Sequence, residues 1–313
     1  MSTTGAIGQA SSGVTSVTRS PFGRYFLLGT YYHEDSSVVT SPLQNLEYDV
    51  IVVTGATGNI GRPLVRALAA AGEEVTAVSR KAADLPAGVK HQAVDLTELD
   101  LTGADALFLL LPGGRSDAEG IIAKAQVAGV RRIVLVSSQG VGTGRHPAAI
   151  EDAVKASGLE WSILRPAGFQ SNTLGWSQSV REHRLVEAPY GEIALPQIHP
   201  ADIAEVAAVA LREPSYAGTT WELTGPKAIS PREQTELIAA ALGEPVRFVE
   251  LTRENARERF LRFLPEQVAD STLDILGQPT DAERAVSGDV ERVLGRPARG
   301  YADWLTEYVA AFR

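Results

Sequence analysis

The chain of 313 residues contains no cysteine. That excludes disulfides, thiolate metal sites and a cysteine nucleophile. Its only methionine is Met1. No apolar run approaches the roughly 20 residues that a membrane helix needs. Histidine is scarce too: His33, His91, His146, His183 and His199 lie scattered, and none pairs with another at helical spacing. We therefore expect no metal centre. There is no G-x-S-x-G turn of the kind hydrolases use. Positive charge is in deficit, with 29 Lys and Arg against 38 Asp and Glu and a net charge of −9, so a nucleic-acid partner is not expected. The remaining composition, 44% hydrophobic and 21% charged, is that of an ordinary globular protein. Cytoplasmic location, a small-molecule substrate, no membrane partner and a monomeric or homodimeric state are the matching expectations.

The first 49 residues stand apart. Residues 1–20 are rich in Ser, Thr and Gly and read as disordered. Residues 22–32 concentrate aromatics (Phe22, Tyr25, Phe26, Tyr31 and Tyr32) and read as a docking segment or as non-native sequence. A GTG codon at Val50 as the natural start is one hypothesis. Peptides from residues 1–49 in mass spectra of the natural protein would sink it.

What is present is a glycine turn. Val50–Val53 read as a buried strand, and Pro63–Ala71 as a helix with Gly72 at its C-terminal end. Between them stands Thr54-Gly55-Ala56-Thr57-Gly58-Asn59-Ile60-Gly61, a G-x-x-G-x-x-G spacing. Glycines there permit the tight turn, close approach to a pyrophosphate and close helix–strand packing. The helix N-terminus then offers free N–H groups to phosphate. The pattern predicts dinucleotide binding.

The next strand, Glu74–Ser79, ends about 20 residues past the turn, where a dinucleotide fold reads the adenosine ribose. An acid there would favour NAD(H). Ser79, Arg80 and Lys81 stand there instead, and two cations suit a 2′-phosphate, so NADP(H) is the expected cofactor. Strand and helix patterns then alternate to Pro166: strands at 91–94, 106–111, 132–137 and 161–164, helices at 117–128 and 147–156. Continuous apolar strands of this kind are buried on both faces, which predicts an α/β fold with a doubly wound parallel sheet. Residues 50–166 form the expected nucleotide-binding core. Residues 167–313 are expected to supply a small C-terminal α/β substrate lobe interleaved with the end of the core, its stretch 167–200 mostly loop.

Several motifs then carry a resemblance: Thr54-Gly55-Ala56-Thr57-Gly58-Asn59-Ile60-Gly61, Val94-Asp95-Leu96, Val136-Ser137-Ser138, Leu164-Arg165-Pro166, Phe169, and His199-Pro200-Ala201-Asp202. From Val50 onward the chain resembles the atypical short-chain dehydrogenase/reductases of the NmrA-like type, which include quinone and dye reductases on a Rossmann fold. The resemblance implies a phosphate turn of Gly55, Thr57, Gly58, Asn59, Ile60 and Gly61. It puts Arg80 on the 2′-phosphate, Asp95 and Leu96 near adenine, and Leu110, Leu111 and Pro112 along the nicotinamide ribose. Ser137, Pro166 and Phe169 would border the nicotinamide.

One departure bears on mechanism. The family's usual proton-transfer pair is a Tyr with a Lys four residues later. Counting back from Glu151, those positions fall near Thr143 and Pro147, and no Tyr lies between residues 49 and 189. Three readings stay open: hydride transfer to an acceptor that needs little acid help, an NADP(H)-sensing binding protein, and a non-redox step such as cyclisation or dehydration. Ser138 and His146 are the candidate acids, His146 being expected at the start of a helix. Trp176, Tyr190 and His199 are the candidate substrate contacts.

Overall fold

The computed structural model describes residues 50–81, 84–111 and 117–313 in full, and the backbone of 14–19 and 25–29. The chain divides into two units, residues 1–48 and 49–313. In the first, β1 (Val14–Arg19) pairs antiparallel with β2 (Tyr25–Gly29). Part of the stretch expected to be disordered is thus a strand, as its Val and Thr content favours. The rest of the expected disordered and docking segments lies outside the described residues.

The second unit is built on a seven-stranded sheet. Its strands are β3 (Val50–Val53), β4 (Glu74–Val78), β5 (Lys90–Gln92), β6 (Ala106–Leu109), β7 (Arg132–Val136), β8 (Glu160–Pro166) and β10 (Thr219–Leu223). They lie in the order β10-β8-β7-β6-β3-β4-β5, all parallel. Chain order reverses between β3 and β6, the switch point at which such sheets bind ligands.

Successive side chains serve opposite cores. Ile51 and Val53 of β3 join one buried cluster with Phe108, Val134 and Ile203, while Val52 joins another with Leu107, Ile133 and Ile163. The first cluster is roofed by α1 (Gly61–Ala70) and α6 (Pro200–Arg212), the second by α2 (Ala118–Ala128) and α4 (Ala149–Ala156). Burial on both faces is why these strands read as unbroken apolar runs.

A third core lies in the second half, around Val180, Val186, Ile238 and Trp304. It gathers α5 (Ser177–His183), α7 (Pro231–Leu242) and α12 (Tyr301–Tyr308) with a parallel pair of strands, β9 (Leu185–Ala188) and β11 (Arg247–Glu250). The strand β9 falls in the stretch expected to be loop. Its four residues gain a ladder only by meeting β11, some sixty positions later, and local pattern carries no trace of that. Between β11 and α12 come α8 (Arg253–Phe260), α9 (Glu266–Gly277), α10 (Asp281–Arg284) and α11 (Asp289–Leu294). No helix among the described residues is long and apolar enough to cross a membrane.

Another difference lies between β7 and α4. A short helix, α3 (Gln139–Gly142), follows Ser138, and α4 starts at Ala149 rather than at Pro147. His146 therefore sits in the connecting turn, not on a helix.

Candidate functional site

The glycine turn joins β3 to α1 at the switch point. Gly55 takes φ 63°, a left-handed conformation that glycine adopts without strain. A Cβ on Gly61 would stand 2.1 Å from the carbonyl oxygen of Gly55, so the turn closes only with glycine there. A Cβ on Gly58 would meet nothing but that same oxygen, at 3.3 Å, and otherwise points into open space. The N-terminus of α1 has no side-chain cap and no acid in its first turn. The Arg62 N–H donates to the Gly58 carbonyl at 3.0 Å and Pro63 has no N–H, so the uncompensated positive end of the helix dipole, rather than a full set of free N–H groups, favours an anion here. Thr54 ties the turn to the sheet, donating from Oγ1 to the carbonyl of Phe108 (3.0 Å) and accepting from the Leu110 N–H (2.8 Å). Asn59 donates from Nδ2 to Ser171 Oγ at 2.8 Å, linking the turn to the segment after β8. The residues present fit a dinucleotide.

Around the turn, Leu110 packs on the core shared with α1, and Leu111 on the opposite core. Asp95 caps the short turn Leu96–Glu98 through the Thr97 N–H, and Leu96 is half-buried. Pro166 ends β8, and Phe169 bridges to Ile198. Arg80 is exposed at the end of β4. Pro112 lies outside the described residues.

The two serines after β7 are wired differently. Ser137 donates from Oγ to Glu151 Oε1 at 2.6 Å. Glu151 is buried, and Arg165 meets both of its oxygens, at 2.9 and 2.7 Å, with Lys155 Nζ at 3.2 Å. Burial raises the carboxyl pKa, but the hydrogen bonds from Arg165, Ser137 and Lys155 outweigh it and bring it down to about 2. An always ionised carboxylate only accepts, so the Ser137 proton is committed to it. Arg165 also reaches Glu222 at 3.2 Å.

Ser138 Oγ instead lies 2.8 Å from His146 Nδ1. His146 Nε2 is buried with no partner among the described residues. Burial lowers the pKa of His146, and the charge of Glu283 partly restores it. The main cause is desolvation, and α4 begins beyond His146. A proton on Nδ1 leaves only a lone pair unsatisfied at Nε2, which costs less than a stranded N–H.

Sequence reading missed Glu283. From α10 it accepts from Thr143 Oγ1 at 2.9 Å and from Arg145 Nε at 3.2 Å. The position that would hold the family's Tyr is thus an anchor for the C-terminal segment, and Pro147 is exposed. No sequence signal tied residue 283 to residue 143.

The three expected substrate contacts are not brought together with these groups. Trp176 packs against the third core. Tyr190 has φ 54° and its hydroxyl meets Arg253 NH1 at 3.3 Å. His199 is 1% exposed and caps α6, Nδ1 accepting from the Ala201 N–H. Asp202, in the first turn of α6, is fully buried and binds Arg296 and Arg299. No group of three or more His, Cys, Asp or Glu able to hold a metal occurs among the described residues.

Comparison with known proteins matches residues 55–214 to the model of a family described as NAD(P)H-binding. The chain is 36% identical over 280 residues to the (4-alkanoyl-5-oxo-2,5-dihydrofuran-3-yl)methyl phosphate reductase of Streptomyces griseus, covering 84% of this chain and 99% of that protein. It is 34% identical over 285 residues to the NAD(P)H azoreductase of Xenophilus azovorans, with the same coverage. Among solved structures, the Escherichia coli quinone oxidoreductase QOR2 complexed with NADPH superposes with a TM-score of 0.68 at 22% identity, covering 82% of this chain and 99% of that one. The Citrobacter triphenylmethane reductase complexed with NADP(H) gives 0.67 at 19%, covering 84% and 100%. These two likenesses show the fold. The chain belongs to the NAD(P)H-binding family and is an oxidoreductase.

Proposed function

We propose that this protein is an NADPH-dependent reductase that delivers hydride to a small conjugated acceptor: a quinone, an iminium, a dye or an unsaturated secondary metabolite. The observation that carries the reading is the wiring after β7. The Tyr position is spent on Glu283 through Thr143, and the Ser137 proton is committed to Glu151. A carbonyl would lack the Tyr–Lys pair that ordinary ketone reduction in this family uses, and Ser138 beside His146, whose pKa burial lowers, is a weaker source of protons. An electron-poor conjugated acceptor needs less help, because its anion is delocalised. The two sequence relatives support this: one name describes an azo substrate, the other a ring double bond conjugated to two carbonyls.

Bound NADPH supplies the hydride. Gly55, Thr57, Gly58, Asn59, Ile60 and Gly61 hold the pyrophosphate against α1, and Asp95 and Leu96 lie toward the adenine. Leu110 and Leu111 exclude water from the ribose channel, and Ser137, Pro166 and Phe169 border the nicotinamide. Ser138 donates its Oγ proton to the reduced acceptor. The doubly protonated ring of His146 replaces that proton from Nδ1 and is left neutral with its remaining proton on the unpartnered Nε2, a higher-energy tautomer than the Nδ1–H resting form. The segment 167–313 forms the substrate side, and the cytoplasm is the proposed setting.

Stopped-flow absorbance at the reduced-nicotinamide band tests the reading against a panel of quinones, azo dyes and unsaturated lactones. Acceptor-dependent oxidation of NADPH is expected. NADPH binding without oxidation by any acceptor would overturn it.

A further inference from the structure

Beside the glycine turn is a cleft of about 410 Å³. It is lined by Ala56 and Thr57 of the turn together with Arg62, Arg66 and Lys81. Arg62 and Arg66 stand one turn apart on α1, so both side chains rise on the same face. Lys81 reaches the cleft from the end of β4. Arg80, the adjoining cation, does not line it.

These cations are available. Arg62 makes one long contact, to the Thr57 carbonyl at 3.3 Å. Among the described residues no carboxylate pairs with Arg62, Arg66 or Lys81, and Asp84, which also lines the cleft, pairs with none of them. Most other arginines are engaged: Arg132, Arg165, Arg257, Arg296 and Arg299 all hold acids. Unpaired cations concentrated at one cleft suit a ligand with two negative charges and several acceptor oxygens. Ala56 and Thr57 of the phosphate turn line the cleft, so such a group can belong to the molecule whose pyrophosphate occupies that turn.

We infer that α1 reads the 2′-phosphate of the cofactor through Arg62 and Arg66, with Lys81 completing the cleft, and that Arg80 is not the main determinant. The inference rests on the proposal that the cofactor is NADPH. It moves the choice between NADPH and NADH from the end of β4 to the first turns of α1. Arg62 and Arg66 are invisible to the usual sequence reading because they occupy exposed helix positions, where arginine is common.

Binding of NADPH, NADH, 2′,5′-ADP, 5′-AMP and inorganic phosphate to the full chain, measured by calorimetry without turnover, tests it. Arg62→Ala/Arg66→Ala should weaken NADPH and 2′,5′-ADP by about 100-fold, two charge-assisted hydrogen bonds lost at roughly a factor of ten or more each. NADH and 5′-AMP should change by less than about twofold, and Arg80→Ala should weaken NADPH by less than about fivefold, both small beside that loss. Inorganic phosphate alone should bind weakly to the wild type. Three results would overturn the inference: a double variant that keeps its NADPH preference, equal loss of NADPH and NADH with an unchanged melting temperature, or Arg80→Ala alone removing the preference. Wild-type protein that binds NADH as tightly as NADPH would instead sink the NADPH reading itself, and this inference with it.

Discussion

Ser138 Oγ lies 2.8 Å from His146 Nδ1, while its neighbour Ser137 is bound at 2.6 Å to a permanently charged Glu151. Two adjacent hydroxyls at the end of one strand therefore have opposite capacities. Ser137 can only accept further hydrogen bonds. Ser138 retains a proton that the imidazole can replenish.

His146→Asn should slow acceptor reduction by roughly 100-fold, the lower end of general acid contributions, with NADPH affinity unchanged. The acid form of His146 is lost as pH rises. Since burial holds its pKa below the ordinary value, the wild-type rate should fall as pH climbs through the mildly acidic range. The variant's profile should be flat there. Steady-state rates across pH, paired with binding titrations, check both points.

Glu151 predicts an acid transition. Its pKa falls from 4.5 to about 2 on folding, so its stabilising contribution is complete above 4.5 and is lost as pH drops from 4.5 toward 2. Below 4.5 the unfolded chain binds more protons than the folded one. Glu151→Gln should cost about 3 kcal/mol at neutral pH by leaving Arg165 half-compensated, and it should blunt that acid dependence. Urea unfolding at a series of pH values reads both effects.

The glycines of the turn should rank. Gly61→Ala drives a methyl into the Gly55 carbonyl at 2.1 Å and should abolish nucleotide binding by deforming the turn. Gly58→Ala meets that oxygen only at 3.3 Å, so the protein should fold normally yet lose affinity, because the methyl occupies the space open to phosphate. Thermal shift with and without NADPH separates the two: a lowered baseline for the first, a lost ligand shift for the second.

Asp202 pins the C-terminal segment. It accepts from the Arg299 N–H at 2.7 Å and from Arg296 at 2.8 Å, and also pairs with the Arg299 guanidinium. Asp202→Ala should cost about 2 kcal/mol, below the loss of a fully buried pair, because Arg296 and Arg299 stay partly exposed and keep Glu205. Limited proteolysis should then cut first near residues 295–300, and persistence of the intact chain would contradict the pinning.

Legibility followed the range of the interactions. The core strands were readable because each is buried on both faces, so its own residues announce it. Val52 and Val53 show this, each serving a different core. The glycine turn was readable because its constraints act within seven residues. The strand β9 is not, because it is completed by β11, and Pro147 reads as a helix start although α4 begins only at Ala149. The Asp202 role was missed for the same reason as β9: its partners lie some ninety residues away.

The sequence by itself determined the phosphate turn, the doubly wound sheet and the lack of a Tyr–Lys pair, all of which depend on local spacing or on a residue simply being absent. Only the tertiary structure decided which serine keeps its proton, what Thr143 does with its hydroxyl, and which cations surround the cleft. Those depend on directions in space between segments far apart in the chain. Glu283 against Thr143, and Lys81 against Arg62 and Arg66, are meetings that folding arranges and that no local pattern encodes.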